Sequence, residues 1–121
     1  MTPEGKIQAA IQLALSESGC VVFRNETAGC WTGKAVARTS KGDQVLRHAK
    51  PMQAGLCTGS SDLIGWTPTG RFLAVEVKTP TGRPTVEQRN FIDRVRAAGG
   101  CAGICRSTED ALQLVAPYLQ E

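Results

Sequence analysis

The sequence predicts an α/β fold in which a mixed β-sheet is flanked by helices. Apolar residues recur with helical spacing near residues 2–19, 85–100 and 107–119, and short apolar runs bounded by Gly and Pro lie between these segments. The strand–helix–strand order over residues 71–105 indicates a right-handed crossover and parallel pairing. A short turn earlier in the chain indicates an antiparallel pair, so both kinds of pairing are expected in one sheet.

Length and composition fit one compact domain over residues 1–121. The chain is 41% hydrophobic and 21% charged, as globular proteins are, and it contains no internal repeat or low-complexity tract. The formal charge of +3 and the pI near 8.7 permit nucleic-acid binding without requiring it. No apolar run approaches the ~20 residues of a membrane span, and no secretory signal is visible, so we expect a cytoplasmic protein without a membrane partner.

The five cysteines do not form a recognisable metal site. They stand at positions 20, 30, 57, 101 and 105, without a CxxC pair, and His48 is the only histidine. Cys101 and Cys105 lie four residues apart in an apolar run, but no second close ligand pair accompanies them. We therefore expect buried or incidental thiols in a reducing compartment rather than a zinc site.

The first helix is expected to begin at Thr2, with Pro3 at its first position and an acidic residue, Glu4, in its first turn. Gly19 ends it. Its apolar stripe is formed by Ile7, Ala10, Ile11, Ala14 and Leu15. Glu4 falls on or beside this stripe, so its position alone allows two interpretations: a favourable charge at a helix N-terminus, or a carboxylate directed inward.

A polar, glycine-bearing segment follows the first predicted strand, Cys20–Arg24, and extends to about residue 61. A structureless loop of that length would be unusual in a compact domain, so we expect a hairpin with arms Val36–Thr39 and Gln44–Ala49. Trp31 is interpreted as a side chain that covers the core, and stacking on a base is the alternative. The basic residues of the segment are the best candidates for phosphate contacts, with a solubilising surface as the alternative: Lys34, Arg38, Lys41, Arg47 and Lys50.

The most informative stretch joins two short strands, residues 62–66 and 71–79, through a turn that contains Pro and Gly. Side chains alternate along a strand, so Glu76 and Lys78 share one face of an otherwise apolar run. If the two strands pair, the Asp62 carboxylate reaches the Glu76 end of its neighbour. Two carboxylates and a lysine in a buried strand favour a divalent cation, whereas a solvated cross-strand ion pair is the alternative.

A turn-rich loop then leads to the helix that Thr85 caps, with Gln88 at its third position completing a capping box. Gln88 therefore has a structural explanation, and a role beside the site is the alternative. Arg83 and Arg89 are further candidates for phosphate contacts. Cys101–Cys105 is expected to form the strand after this helix.

Asp62 and the triplet Glu76-Val77-Lys78 resemble the Asp…Glu-x-Lys signature of the PD-(D/E)xK nuclease superfamily. A longer pattern resembles the VRR-NUC domain specifically, and it consists of Gly59-Ser60-Ser61-Asp62-Leu63-Ile64-Gly65, Ala74-Val75-Glu76-Val77-Lys78-Thr79-Pro80-Thr81-Gly82-Arg83 and Glu87-Gln88. The resemblance covers nearly the whole chain. It implies a restriction-endonuclease-like core in a stand-alone nuclease of phage or bacterial type, acting in the cytoplasm of a bacterium or of a phage-infected host.

The resemblance also implies a metal-dependent DNA endonuclease that hydrolyses phosphodiester bonds with Mg²⁺ or Mn²⁺. Asp62 and Glu76 would be metal ligands, and the Val77 backbone carbonyl would be a third, because Mg²⁺ takes few protein oxygens and keeps waters of its own. Lys78 would position the attacking water or help to deprotonate it.

For Glu4 and Gln88 the resemblance favours the functional interpretation: Glu4 would hold a second ion or orient a ligand water, and Gln88 would orient Lys78 or water. It further implies a homodimer that cleaves branched DNA, Holliday junctions in particular. Two alternatives remain. One is a non-catalytic basic α/β nucleic-acid-binding module whose charged cluster is a structural ion network, and the other is a nuclease that acts on ordinary duplex DNA.

Overall fold

A computed structural model describes residues 1–26, 28–54 and 56–120, with the backbone alone for residues 28–30 and 53–54. The chain divides into two compact units. The sheet unit comprises Met1–Asn25 with Thr58–Glu121, and the hairpin unit comprises Glu26–Cys57. The expectation of one domain over residues 1–121 stays a prediction.

The sheet unit contains three helices around a four-stranded mixed sheet, which confirms the predicted fold class. In chain order the elements of both units are α1 (Pro3–Glu17), β1 (Val21–Arg24), β2 (Ala28–Arg38), β3 (Gln44–Ala54), β4 (Leu63–Trp66), β5 (Phe72–Val77), α2 (Val86–Ala97), β6 (Cys101–Cys105), α3 (Thr108–Val115) and a 3-10 turn (Ala116–Tyr118). The sheet has the order β1-β4-β5-β6, with β4 antiparallel to both neighbours and β5 parallel to β6.

The helix ends follow from the capping residues that the sequence predicts. Thr2 Oγ1 accepts a hydrogen bond from the Gly5 N–H at 3.0 Å, and Gly19 ends α1 with a φ of 94° that side chains with a Cβ disfavour. Thr85 and Gln88 form the complete capping box at the start of α2. The last helix is shorter than the apolar pattern indicates, because Pro117 follows α3 in a 3-10 turn and cannot continue the α-helical hydrogen bonds.

The sheet separates two apolar clusters, because alternate residues of β5 point to opposite faces. Leu73, Val75 and Val77 pack in the cluster that holds residues of α1 and α3, such as Ile11 and Val115. On the other face, the smaller cluster beneath α2 consists of Ile64, Ala74, Ile92 and Ala102. Glu76 has the parity of Ala74, so the strand places this carboxylate on the face that α2 covers.

The hairpin unit is a two-stranded antiparallel ribbon, β2 with β3, whose register runs from Ala28↔Ala54 to Arg38↔Gln44 and shifts twice. Each strand has 11 residues, so the expected arms were too short. The described side chains on both faces of the ribbon are mostly exposed. Because neither face is buried, these strands have no alternation of apolar and polar residues by which the sequence could predict their length. Trp31 is 66% exposed, so the expectation that it covers the core was wrong.

The buried thiols match the expectation for structural cysteines. Cys20, Cys101 and Cys105 are buried and reduced, while Cys57 is exposed. Burial raises the pKa of the Cys101 thiol to about 11 and that of the Cys105 thiol to about 12, so both remain protonated at neutral pH. Among the helices that the structure describes, none is long and apolar enough to cross a membrane.

Candidate active site

The β4–β5 pair brings the two predicted carboxylates together. Leu63 pairs with Val75 in the antiparallel register, so Asp62, one residue before β4, lies opposite Glu76. The Asp62 carboxylate also accepts a hydrogen bond from the Val77 N–H, with 2.8 Å between Oδ2 and N. This bond fixes one carboxylate oxygen to the backbone of β5.

Glu76 is a buried carboxylate with an unpaired oxygen. Its side chain is 2% exposed, and its Oε1 lies 3.8 Å from Lys78 Nζ. Glu76 Oε2, like Ser61 Oγ beside Asp62, is buried without a hydrogen-bond partner in the part of the chain that the structure describes. Such atoms are rare in folded proteins, so two of them around Asp62 indicate a place that a ligand completes. The burial of Glu76 also contradicts the alternative of a solvated ion pair on an exposed face.

The protonation of Glu76 reflects this enclosed position. Burial is the largest cause that raises its pKa, followed by the negative charge of Asp62. A hydrogen bond with the Asp62 side chain and the charge of Glu4 contribute less, and the pKa is about 8. The nearby Lys78 ammonium opposes this rise without cancelling it. At neutral pH a proton therefore shares the site with the two carboxylates, and a cation that replaced this proton would relieve their repulsion.

The loop before Asp62 is seated on the first turn of α2. Gly59 has a φ of 88°, and a Cβ at this position would lie 2.6 Å from the Glu87 carbonyl group. Both constraints require glycine, the first for its backbone conformation and the second for its lack of a side chain. The Gly-Ser-Ser segment of the sequence pattern thus lets the loop approach α2 closely next to Gln88.

Asn25, at the end of β1, holds the same loop from the other side. Its side-chain Nδ2 donates to Ser60 Oγ at 2.8 Å and to the Ser61 carbonyl at 3.0 Å, while its backbone N–H donates to the Asp62 carbonyl at 2.8 Å. Three hydrogen bonds from one residue therefore fix the backbone that carries the Asp62 carboxylate. This arrangement identifies Asn25 as a positioning residue.

Lys78 is held through its backbone and through the loop that follows it. Its N–H donates to the Cys105 carbonyl at 3.1 Å, which extends the parallel pairing by one residue. Arg106 Nη1 donates to the carbonyls of Thr79 and Gly82, each at 2.6 Å, and so ties this loop to the end of β6. A Cβ on Gly82 would lie 3.5 Å from Lys78 Cδ, so the tied loop also borders the lysine side chain.

Glu4 and Gln88 stand at the edges of this centre. Glu4, half-buried in the first turn of α1, is near enough for its charge to act on Glu76. Gln88 Oε1 accepts a hydrogen bond from the Thr85 N–H at 2.8 Å, as the capping box requires. That bond uses the carboxamide oxygen, so the NH₂ group is the part of Gln88 left for substrate or water.

The donor set fits a hard divalent cation that retains water ligands. Asp62 Oδ1 and Glu76 Oε2 are carboxylate oxygens on adjacent strands, and the Val77 carbonyl is the neighbouring backbone donor. Oxygen ligands of this kind suit Mg²⁺ and Mn²⁺, whereas zinc prefers nitrogen or sulfur. Among the described residues, no three His, Cys, Asp or Glu side chains cluster as a metal cage. The set therefore suits an ion that takes the rest of its ligands from water and substrate.

The predicted phosphate contacts are distributed over both units. All of the following candidates are exposed: Lys34, Arg38, Lys41, Arg47 and Lys50 in the hairpin unit, and Arg83 and Arg89 in the sheet unit. Asp62, Glu76, Lys78, Glu4 and Gln88 all belong to the sheet unit. Their roles in catalysis and in binding stay predictions.

Sequence reasoning missed Asn25 and Arg106, although both hold parts of the centre. Neither belongs to the recognised pattern, and each acts across a long sequence separation, 35 residues for Asn25 to Ser60 and 27 for Arg106 to Thr79. The only local signal was their place immediately after a strand.

Comparisons with known proteins agree with the geometry. A sequence profile of the VRR-NUC domain matches residues 2–109. A solved structure described as a VRR_NUC domain aligns with a TM-score of 0.60 at 19% identity, covering 98% of this chain and 99% of that one, and at this identity it supports the fold alone. Comparison with curated proteins gave no match. Because the profile spans most of the sequence, the chain belongs to the VRR-NUC family of nuclease domains.

Proposed function

We propose that the chain is a divalent-cation-dependent DNA endonuclease that prefers branched DNA, as Holliday junction resolvases do, and that it works as a homodimer. The observation that carries the metal dependence is the buried Glu76 carboxylate, whose Oε2 has no hydrogen-bond partner in the described part of the chain and which faces Asp62. The preference for branched DNA and the homodimer rest on the resemblance described above.

The proposed chemistry is phosphodiester hydrolysis, in which a water oxygen bonds to phosphorus and the bond to the leaving nucleotide oxygen breaks. A divalent cation, when bound, would lower the pKa of a water molecule and neutralise charge on the phosphate. Asp62 and Glu76 would hold this cation, with the Val77 carbonyl beside them. Lys78 would orient the attacking water and offset phosphate charge, because its ammonium group lies 3.8 Å from Glu76 Oε1 and its side chain is 16% exposed.

The outer residues would refine this centre. The Gln88 NH₂ group would donate to the attacking water or to a phosphate oxygen. Glu4 would hold a second ion or a water ligand, consistent with the effect of its charge on Glu76. The exposed cations of each unit would bind phosphates further along the DNA.

The first test is cleavage of a labelled four-way junction and of a linear duplex with the same sequence, in Mg²⁺, Mn²⁺ or EDTA. We expect metal-dependent nicking of the junction by the wild type and no cleavage by Glu76→Ala. The matched control is Glu109→Ala, since Glu109 is an exposed acid on α3. Equal cleavage of both substrates would support nuclease activity but contradict the preference for branched DNA.

The same experiment tests the non-enzymatic alternative. A nucleic-acid-binding module whose Lys78–Glu76 pair is structural would bind DNA in EDTA and would cut neither substrate with any metal. A duplex nuclease would cut both substrates, and its metal dependence and its dependence on Glu76 would be unchanged.

A further inference from the structure

Three aromatic rings remain exposed on one face of the sheet. Phe23 on β1, Trp66 on β4 and Phe72 on β5 are 50%, 48% and 43% exposed. Trp66 pairs with Phe72 across the strands, and the Phe23 ring meets the Trp66 ring nearly edge to face, with 6.5 Å between centroids. We call these three residues the aromatic ledge. Adjacent exposed rings of this size are unusual on a surface that contacts only water.

The aromatic ledge shares its sheet face with the catalytic carboxylates. Phe72, Ala74 and Glu76 alternate onto this face along β5, and Trp66 and Asp62 have the same parity on the neighbouring strand. Phe72 and Glu76 are four residues apart, roughly 13 Å along the strand. Helix α2 covers the region around Ile64 and Ala74, but it leaves the three rings exposed.

A cavity of about 530 Å³ adjoins the ledge at Phe72. Its apolar wall includes Phe91 and Val95, and Arg71 and Arg94 are its charged lining residues. Arg71 Nη1 donates to the Gly99 carbonyl at 2.8 Å, so its guanidinium is held at the cavity edge. Aromatic surface beside arginine is the combination that binds nucleotides, because bases stack on rings and phosphates pair with guanidinium groups.

The charges of this surface favour a polyanion over a second copy of the chain. The residues that line the cavity include two arginines and no acid. A two-fold contact through the same surface would bring the arginines of both copies to one interface, where like charges repel. A nucleic-acid strand offers the complementary charge. Its bases must be unpaired to stack on the rings, because the bases of a duplex are already stacked on their neighbours.

We propose that the aromatic ledge and its cavity bind unpaired bases of the strand whose phosphodiester lies at Asp62 and Glu76. This inference rests on the proposed nuclease function and names its substrate class: nucleic acid with a single-stranded segment next to the cleaved bond. The separation of roughly 13 Å corresponds to at most about four nucleotides at the ~3.4 Å rise of stacked DNA, and to fewer in an extended strand, so the segment begins within a few nucleotides of the cut.

The test uses tryptophan fluorescence in EDTA, so that no cleavage occurs. Trp66 and Trp31 are the two tryptophans of the chain, so Trp31→Phe leaves Trp66 as the reporter. Three DNAs are titrated: a fork with an unpaired thymidine arm, the same fork with abasic residues in that arm, and a blunt duplex. We expect the thymidine fork alone to quench Trp66 and to bind at least about fivefold more tightly than the abasic fork.

Variants separate stacking from phosphate binding, with Trp31→Phe as the common background. Their affinities are measured by the fluorescence anisotropy of end-labelled DNA, because the Trp66 variants lack the tryptophan reporter. Trp66→Leu and Phe23→Leu should reduce the thymidine-over-abasic preference towards one while duplex affinity stays within about twofold. Trp66→Phe should retain the preference, because phenylalanine also stacks. Leu13→Ala is the matched control, since Leu13 is an exposed apolar residue on α1. Circular dichroism confirms that each variant is folded.

Each outcome decides the inference separately from the nuclease proposal. Equal affinity for the thymidine and abasic forks, or a preference that survives Trp66→Leu, would overturn the stacking site even if metal-dependent cleavage is observed. Conversion of a dimer to a monomer by Trp66→Leu, with the base preference intact, would assign the ledge to a second copy and also overturn it. Base-dependent quenching of Trp66 without cleavage in any metal would support the stacking site and contradict the proposed nuclease function.

Discussion

At the scale of single residues, Lys78 has the most direct predicted role. Lys78→Ala should reduce cleavage by ~10²–10⁴-fold, the usual contribution of a positioned acid or base, while junction affinity in EDTA stays nearly unchanged. The reason is that the substitution leaves Asp62 and Glu76 in place. Single-turnover cleavage and equilibrium binding measure the two effects, with Lys6→Ala, an exposed lysine on α1, as the control. A variant that fails to fold would instead indicate a structural ion pair.

Glu76 predicts a pH dependence of stability in the metal-free protein. Its pKa is about 8 in the folded chain against an ordinary value of 4.5, so between these values the folded state holds a proton that the unfolded state has released. Stability should therefore fall as pH rises from about 5 to 8, by at most ~1.4 kcal/mol per pH unit.

Denaturant unfolding in EDTA at several pH values measures this slope. Glu76→Gln should flatten it, because glutamine does not titrate, while Glu109→Gln on the exposed face of α3 should leave it unchanged. Parallel curves for the wild type and Glu76→Gln would show that the carboxyl is ionised throughout.

The sequence pattern predicted how the central residues of the candidate site lie relative to one another, because their spacing along two paired strands determines it. Strand alternation places Glu76 beside Lys78, and a short turn places Asp62 opposite Glu76. The pattern could not reveal Asn25 or Arg106. Their contacts arise only when the sheet brings distant segments together, and asparagine and arginine are common in loops for other reasons.

At the scale of elements, the loop after β5 depends on a clamp from the end of β6. Arg106→Ala removes two hydrogen bonds to the carbonyls of Thr79 and Gly82, and each bond from a charged group contributes ~1.5–3 kcal/mol. We expect a lower midpoint of thermal unfolding and a roughly tenfold lower kcat with little change in KM, because Lys78 loses its fixed neighbour.

Arg96→Ala is the matched control for this clamp. Arg96 also holds a carbonyl, that of Ala102 on β6, with 2.8 Å between Nε and O, and this bond is made to a strand and not to the loop after Lys78. Stability should fall in both variants, but kcat should fall only for Arg106→Ala. Arg106→Lys should give an intermediate kcat, because lysine keeps the charge but not the planar fork. Equal kcat in all variants would limit Arg106 to a structural role.

The hairpin unit carries its own prediction. Arg38→Ala combined with Lys41→Ala should weaken junction binding and lower the slope of log Kd against log[salt] by about 0.9 per lost phosphate contact. Both residues are exposed near the tip, where β2 turns into β3. Binding titrations from 50 to 200 mM salt give the slope, with Lys6→Ala as the control. An unchanged slope would exclude these two residues as phosphate contacts.

The sequence predicted the helices and strands that have capping residues or buried faces. Thr2 and Thr85 define helix starts through hydrogen bonds within one turn, and β5 is apolar because both of its faces are buried. The hairpin strands lack such signals, since neither face is buried, and glycine and proline interrupt them. Burial therefore explains why the elements of the sheet unit were predicted correctly and why the predicted arms of the hairpin unit were too short.

At the scale of the whole molecule, the predicted homodimer is open to direct measurement. Sedimentation velocity at micromolar concentrations should give a species of twice the chain mass of 12.9 kDa, because the proposed cleavage of a four-way junction would need two active sites on one junction. A monomer throughout this range, with cleavage retained, would contradict the dimer. Junction DNA that assembles two copies would show that dimerisation requires the substrate.

Asn25 has a consequence for how such a nuclease can diversify. The hairpin unit begins at Glu26 and ends at Cys57, and hydrogen bonds from Asn25 to residues 60–62 close the loop within the sheet unit itself. Lengthening a flexible insertion costs little entropy once its ends are fixed. The ribbon can thus change in length and sequence, and with them the DNA that it contacts, while the loop that carries Asp62 keeps its conformation.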